Sequence, residues 1–99
     1  MNGIFPELRD GIDVICKRYR VRELSAFGSV VTGGFSDASD IDLLVEFEPE
    51  AMIGFIALAR MQRELSAVFK RTVDLVPKSG LKPSIREDVL STAELLYAA

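Results

Sequence analysis

The chain has 99 residues, a formal net charge of −3 and a sequence pI of about 4.9. Its length suits one small domain, which we expect to span residues 1–99. The acidic balance argues against a protein that binds nucleic acid mainly through phosphate contacts, because such proteins normally present a basic face. The absence of histidine excludes Ser-His-Asp and Cys-His catalysis and histidine-ligated zinc. Chemistry must come from carboxylates, hydroxyls, Lys, Arg and bound metal.

The first half of the chain alternates helical and extended patterns. Residues 6–18 have apolar residues at helical spacing behind a proline, which predicts a helix. Residues 21–27 predict a short strand that stops at a Gly-Ser pair. Residues 29–32 predict a short helix that ends at glycine, and residues 35–39 predict a loop. Cys16 occupies an apolar helical position, so we expect it in the core rather than as a reactive thiol.

The second half predicts a central strand and a long helix. Residues 40–47 (DIDLLVEF) predict a strand buried on both faces. Residues 51–69 predict an amphipathic helix whose apolar stripe includes Ile53 and Ile56, and residues 72–76 predict a third strand. The spacing of apolar and polar residues from Ser84 to the end predicts one or two further helices.

Together these elements predict the α/β class, or α+β in stricter usage. The order is α-β-α-β-α-β-α, with a small mixed sheet of three or four strands flanked by helices. The apolar surface of the long helix exceeds what a small sheet covers, which is compatible with a homo-oligomer. The N-terminal residues lack the features of a signal peptide, and no apolar stretch is long enough to cross a bilayer. We therefore expect a cytoplasmic protein without membrane contact.

Two aspartates one residue apart, Asp40 and Asp42, open the central strand. Residues i and i+2 of a strand point to the same face, so the two carboxylates are expected side by side. The alternative is that Asp40 caps the preceding loop and Asp42 is solvated. A carboxylate in an aliphatic strand is costly without a partner, and aspartate is depleted in strands. A Mg²⁺ ion bound with phosphates would balance the two charges.

A third acid, Asp74, repeats this anomaly in the strand TVDLV. It would complete a site with two metal ions, or with one ion and a base; the alternative is a surface residue of an edge strand. Glu46 is in phase with the other two acids but further along the strand, and we expect it to be solvated or salt-bridged. Gly28 and Ser29 could present backbone N–H groups and a hydroxyl to an anion, or Ser29 could be an ordinary helix cap.

The spacing of Gly28-Ser29 and Asp40-Ile41-Asp42 resembles the signature of the nucleotidyltransferase superfamily, which contains the polymerase β-like enzymes. The short chain, its long helix and its VDLV strand resemble the minimal nucleotidyltransferase (MNT) group in particular. The resemblance implies that Gly28 and Ser29 bind the nucleoside triphosphate. It implies that Asp40, Asp42 and Asp74 are catalytic metal ligands for Mg²⁺, with two ions expected, and that Asp74 alternatively serves as the base.

For function, the resemblance implies transfer of AMP from ATP to a tyrosine of a HEPN-domain toxin, with this chain acting as the antitoxin. One difference from the family stands beside the Gly-Ser pair. Members often carry arginines there, whereas this chain has Val30, Val31 and Thr32. The alternative is therefore an antitoxin that neutralises its partner by binding alone. We expect no direct contact with nucleic acid.

Overall fold

A computed structural model describes residues 6–33 and 40–99 of the chain. A 3₁₀ turn at Pro6–Leu8 leads into helix α1. The elements that follow are, in chain order, α1 (Arg9–Arg18), β1 (Val21–Phe27), α2 (Ser29–Thr32), β2 (Ile41–Phe47), α3 (Phe55–Phe69), β3 (Val73–Pro77), α4 (Pro83–Thr92) and β4 (Glu94–Ala98). A second 3₁₀ turn, Lys78–Gly80, joins β3 to α4.

The four strands form one mixed sheet in the order β3-β2-β1-β4. Strands β2 and β3 are parallel, and their crossover contains α3. Strand β1 is antiparallel to both of its neighbours, β2 and β4. Parallel pairing of β2 with β3 places the start of both strands at the same edge of the sheet. This topology brings the acids of the two strands together.

Helices α1 and α3 cover one face of the sheet. The core between these helices and the sheet contains the alternate residues Ile41, Leu43 and Val45 of β2, which are 0–1% exposed. Cys16 is fully buried in this core, as predicted, and burial raises the pKa of its thiol to about 12. Among residues 6–33 and 40–99, the opposite face, which we call the open face, has no comparable cover, because α4 buries none of its side chains.

The α/β class and the mixed sheet flanked by helices are confirmed, but the predicted element order is wrong at the C-terminus. Residues 94–98 form β4, an edge strand paired with β1, rather than a helix. The segment ELLYA is too short for periodicity to separate strand from helix. Pairing with β1, which only the tertiary fold provides, decides the outcome.

Two burial predictions also need correction. Strand β2 is only partly buried on its open face, where Leu44 is 5% exposed but Asp42 and Glu46 are half-buried. Helix α3 begins at Phe55, and Ile56, assigned to its apolar stripe, is 78% exposed. The loop predicted over residues 35–39 lies outside the described residues. Within residues 6–33 and 40–99, no helix has the length and apolar character needed to cross a membrane.

Candidate functional site

Asp42 of β2 and Asp74 of β3 lie directly opposite each other in the parallel register. Their sequence neighbours Ile41 and Val73 point into the core, so the alternation of a strand turns both aspartates towards the open face. Asp42 is half-buried and Asp74 is exposed. The structure thus brings together two of the three acids that the sequence predicts as metal ligands.

Asp40 directly precedes β2 and is exposed. The next residue is fixed in the sheet, because the Ile41 N–H donates to the Thr72 carbonyl at 2.9 Å. The backbone of Asp40 is therefore tied to the start of both parallel strands. Its side chain reaches Asp42 electrostatically, as the pKa of Asp42 shows.

The pKa of Asp42 is raised above its ordinary value. Burial is the largest cause, followed by the negative charges of Asp74 and Asp40. Both effects disfavour the ionised form. The three predicted acids therefore form one electrostatic group centred on Asp42.

Gly28 separates β1 from α2 and lies against Asp42. Its φ of 74° and ψ of −148° belong to a region that L side chains rarely adopt. A Cβ added at this position would lie 2.5 Å from Oδ2 of Asp42. Glycine is thus required at position 28 for two reasons: its backbone conformation and the close approach of the Asp42 carboxylate.

Ser29 is the first residue of α2, and Gly28 is the cap residue, which makes no side-chain capping bond. The alternative in which Ser29 caps the helix is therefore wrong. The Gly28 carbonyl accepts hydrogen bonds from the N–H groups of Val31 and Thr32, each at 3.0 Å. This turn holds Ser29 beside the strand end that carries Asp42.

The segment after Ser29 contains no cation. Val30 and Val31 are partly buried and pack against the core. Lys78, one cation in the chain that could compensate, forms an ion pair with Glu46 at 3.5 Å. This pair confirms the prediction that Glu46 is salt-bridged. Lys82 is exposed at the start of α4.

Over residues 6–33 and 40–99, no three carboxylate or thiol side chains already stand in an arrangement that would hold a metal ion. Asp40 and Asp74 are exposed, so their side chains are free to rotate about Cα–Cβ and Cβ–Cγ. Only Asp42 is held in place, between Gly28 and the neighbouring strand.

Sequence reasoning missed a cleft on the open face of the sheet. It has a volume of about 300 Å³. Glu23, Ser25, Leu44 and Leu95 contribute to its lining. The contribution of Leu95 depends on β4, which was not predicted.

Comparison with known proteins agrees with the resemblance. Residues 8–96 match the model of a nucleotidyltransferase domain. The chain is 43% identical over 82 residues to the protein adenylyltransferase MntA of Thermococcus cleftensis, a match that covers 82% of this chain and 78% of that protein.

Solved structures share the fold. One, assigned provisionally as a minimal nucleotidyltransferase, is 34% identical with a TM-score of 0.75, and the match covers 90% of this chain and 89% of that one. A toxin–antitoxin structure with AMP-PNP is 20% identical with a TM-score of 0.74, covering 92% and 73% of the two chains. A chain in a complex of a tri-AMPylated Shewanella oneidensis HEPN toxin with an MNT antitoxin is 17% identical with a TM-score of 0.69. That match covers 97% of this chain and 74% of the other.

Proposed function

Because this chain belongs to the nucleotidyltransferase domain family, and within it to the minimal nucleotidyltransferases, we propose that it transfers AMP from ATP to a protein hydroxyl with the help of Mg²⁺. The chain is a nucleotidyltransferase. The proposal adds the nucleotide, the metal and the acceptor, which is a tyrosine of a HEPN-domain toxin. In that role the chain acts as an antitoxin.

The observation that carries the proposal is the alignment of Asp42 with Asp74 beside Gly28. Two carboxylates in register on neighbouring strands repel each other, and like charges directly opposite are destabilising. Burial, and after it this repulsion, raises the pKa of Asp42. A fold that maintains such an arrangement against its own stability points to a function for the charges.

The residues present fit a divalent cation. Carboxylate oxygens are the ligands that Mg²⁺ prefers, and it usually binds through one or two carboxylates together with substrate phosphates and water. Asp42 provides the fixed ligand, and the exposed side chains of Asp40 and Asp74 can rotate towards the same ion. When bound, Mg²⁺ supplies positive charge that polarises the phosphate and balances the leaving pyrophosphate.

The turn at Gly28 and Ser29 would hold the triphosphate next to Asp42. With an α-phosphate there, the acceptor oxygen attacks phosphorus in line with the bond to the β-phosphate. The oxygen–phosphorus bond forms, the α–β bond breaks, and pyrophosphate leaves. We assign to Asp74 the role of accepting the proton of the attacking hydroxyl and passing it to solvent; the exposure of its carboxylate beside Asp42 supports this role.

Two relatives support the choice of acceptor. The Thermococcus cleftensis protein is a protein adenylyltransferase, and the Shewanella oneidensis complex pairs an MNT antitoxin with an AMPylated HEPN toxin. We extend both properties to this chain because the Asp42–Asp74 pair lies on an open face that a partner protein can approach. A tyrosine hydroxyl on an exposed segment of that partner could reach the acids.

The test is label transfer. The protein is incubated with Mg²⁺, a HEPN-domain protein encoded in the same genome, and ATP labelled at either the α- or the γ-phosphate. Label from the α position alone should appear on the HEPN-domain protein. Asp42→Asn should abolish transfer, whereas Asp10→Asn, which changes an exposed acid of α1, should not. Transfer of γ-label, or equal activity of Asp42→Asn and the wild type, would reject the proposal.

A second candidate is an antitoxin that acts by binding alone. The absence of a cation in Ser29–Thr32 favours it, because an arginine fork is a strong phosphate clamp. In this case the double variant Asp40→Ala/Asp42→Ala would neutralise the toxin as well as the wild-type protein does. Loss of neutralisation, with the complex intact, would reject this alternative in favour of the enzyme.

A further inference from the structure

A cleft of about 300 Å³ lies on the open face of the sheet, and one of its lining residues, Leu44, follows Asp42 by two positions on the same face of β2. Its base includes Leu44 of β2 and its strand partner Ser25 of β1. Leu95 of β4 lies opposite Ser25 on the other side. Leu90 of α4 contributes a further apolar side chain. The cleft is therefore a three-strand surface bordered by α4, with an apolar base.

The cleft begins at a distance that suits a nucleoside. Leu44 is two residues after Asp42 on the same face of β2, which corresponds to roughly 6.6 Å along the strand. A nucleobase attached through ribose to an α-phosphate at Asp42 needs an apolar surface at about one ribose length from that phosphate. Leu44 and Leu95 offer such a surface on the same face as the acids.

The polar side of the cleft carries an unbalanced negative charge. Glu23 of β1 lies directly opposite Glu46 of β2 in the antiparallel register, and both contribute to the lining. Lys78 pairs with Glu46 at 3.5 Å. No ion pair within residues 6–33 and 40–99 includes Glu23. Two carboxylates with one cation leave acceptor oxygens that a ligand with N–H groups can satisfy.

From these observations we infer that the cleft binds the nucleobase of the triphosphate and selects a base with an exocyclic amine. Glu23 and Glu46 accept hydrogen bonds from the amine, and Leu44, Leu90 and Leu95 contact the ring. The inference rests on the proposed function, because it uses the triphosphate site at Asp42. It makes Glu23 a specificity-determining residue for adenine, whose amine the carboxylate recognises.

The experiment compares three ligands in the presence of Mg²⁺ and without any acceptor protein: ATP, purine riboside triphosphate, which lacks the exocyclic amine, and inorganic tripolyphosphate, which lacks the nucleoside. Dissociation constants are measured by calorimetry. The wild type should bind ATP on the order of tenfold more tightly than purine riboside triphosphate, the effect of one hydrogen bond to a charged group. It should bind tripolyphosphate more weakly than either.

Matched variants locate the effect. Leu90→Ala should weaken both nucleotides severalfold and leave tripolyphosphate unchanged. Ile85→Ala is its control, since Ile85 lies on the same helix with similar exposure, 45% against 39% for Leu90. Glu23→Met should abolish the preference for ATP over purine riboside triphosphate. Glu94→Met, an exposed acid of β4, should retain it.

The outcomes separate this inference from the proposed function. If each variant leaves all three affinities unchanged but lowers label transfer, the cleft binds the acceptor and the inference is wrong. If the ligand preferences behave as described but no α-label reaches the HEPN-domain protein, the cleft assignment stands and the proposed acceptor is wrong. If ATP and tripolyphosphate bind equally well to the wild type, the nucleobase makes no contact and the inference is wrong.

Discussion

Gly28 and Asp42 are in such close contact that a single added carbon would lie 2.5 Å from the aspartate Oδ2. The two residues meet because Phe27, the last residue of β1, pairs with Asp42 in the antiparallel register. The turn that begins the Gly-Ser motif and the strand that carries the acids are therefore one structural unit.

This contact predicts different effects for two glycine substitutions. Gly28→Ala and Gly33→Ala both place an alanine at positive φ, 74° and 96°, which costs roughly 1–3 kcal/mol of unfolding free energy. Within the part of the chain that the structure describes, only the Cβ at position 28 meets another group, because no described atom lies within 4 Å of a Cβ at Gly33. We expect both variants to be less stable in thermal unfolding. Gly28→Ala should also displace Asp42 and lose label transfer, while Gly33→Ala keeps it; equal loss in both would contradict this account.

Asp42→Asn should stabilise the metal-free protein at neutral pH. A carboxylate whose pKa is raised on folding contributes stability that is full below its unfolded pKa, about 3.9, and is lost as the pH rises through the folded pKa. The uncharged amide avoids this loss. Thermal unfolding from pH 3 to pH 8 should show the variant gaining on the wild type as the pH rises. An identical pH dependence of both proteins would mean that the charge of Asp42 does not lower the free energy of unfolding, which would contradict this prediction.

Mg²⁺ should raise the melting temperature of the wild type. A ligand that binds only the folded state stabilises it by RT ln(1 + [L]/Kd), about 1.4 kcal/mol at ten times the dissociation constant. For a domain of this size, that corresponds to a shift of several degrees. Asp74→Asn should reduce the shift by removing a ligand, and Asp88→Asn, an exposed acid of α4, should not. Equal shifts in all three proteins would place the ion elsewhere.

Glu64 of α3 joins two neighbouring residues of the α1 end. It forms an ion pair with Arg18 and accepts a hydrogen bond from the hydroxyl of Tyr19, a residue that is 8% exposed. Glu64→Ala leaves this tyrosine hydroxyl without its acceptor, so we expect a loss of about 1–2 kcal/mol in urea unfolding. Glu87→Ala, an exposed acid of α4, should change stability little. Label transfer by Glu64→Ala should remain, because α1 and α3 cover the face opposite the acids.

The sequence predicted the two acid-bearing strands, β2 and β3, better than it predicted the C-terminal strand β4. The proximity of Asp42 and Asp74 was predictable for two reasons. Aspartate in an aliphatic strand is costly, which singles out both residues, and one long helix between two strands allows these strands to be parallel neighbours. Strand β4 was not predictable from ELLYA, since a five-residue edge strand gains its hydrogen bonds only from β1. The cleft was missed for the same reason, because Leu95 lines it only after β4 joins the sheet. The facing of Glu23 and Glu46 depends on register, which is likewise set by tertiary pairing.

The most direct measurement of the central claim is the intact mass of the HEPN-domain partner after coexpression, taken together with cell growth. Coexpression with the wild type or Asp10→Asn should restore growth and increase the partner's mass by one or more AMP groups. Asp42→Asn should form the complex in gel filtration but leave the partner unmodified and the cells inhibited. Restored growth with an unmodified partner, or modification by Asp42→Asn, would contradict the claim that the Asp42–Asp74 pair catalyses transfer.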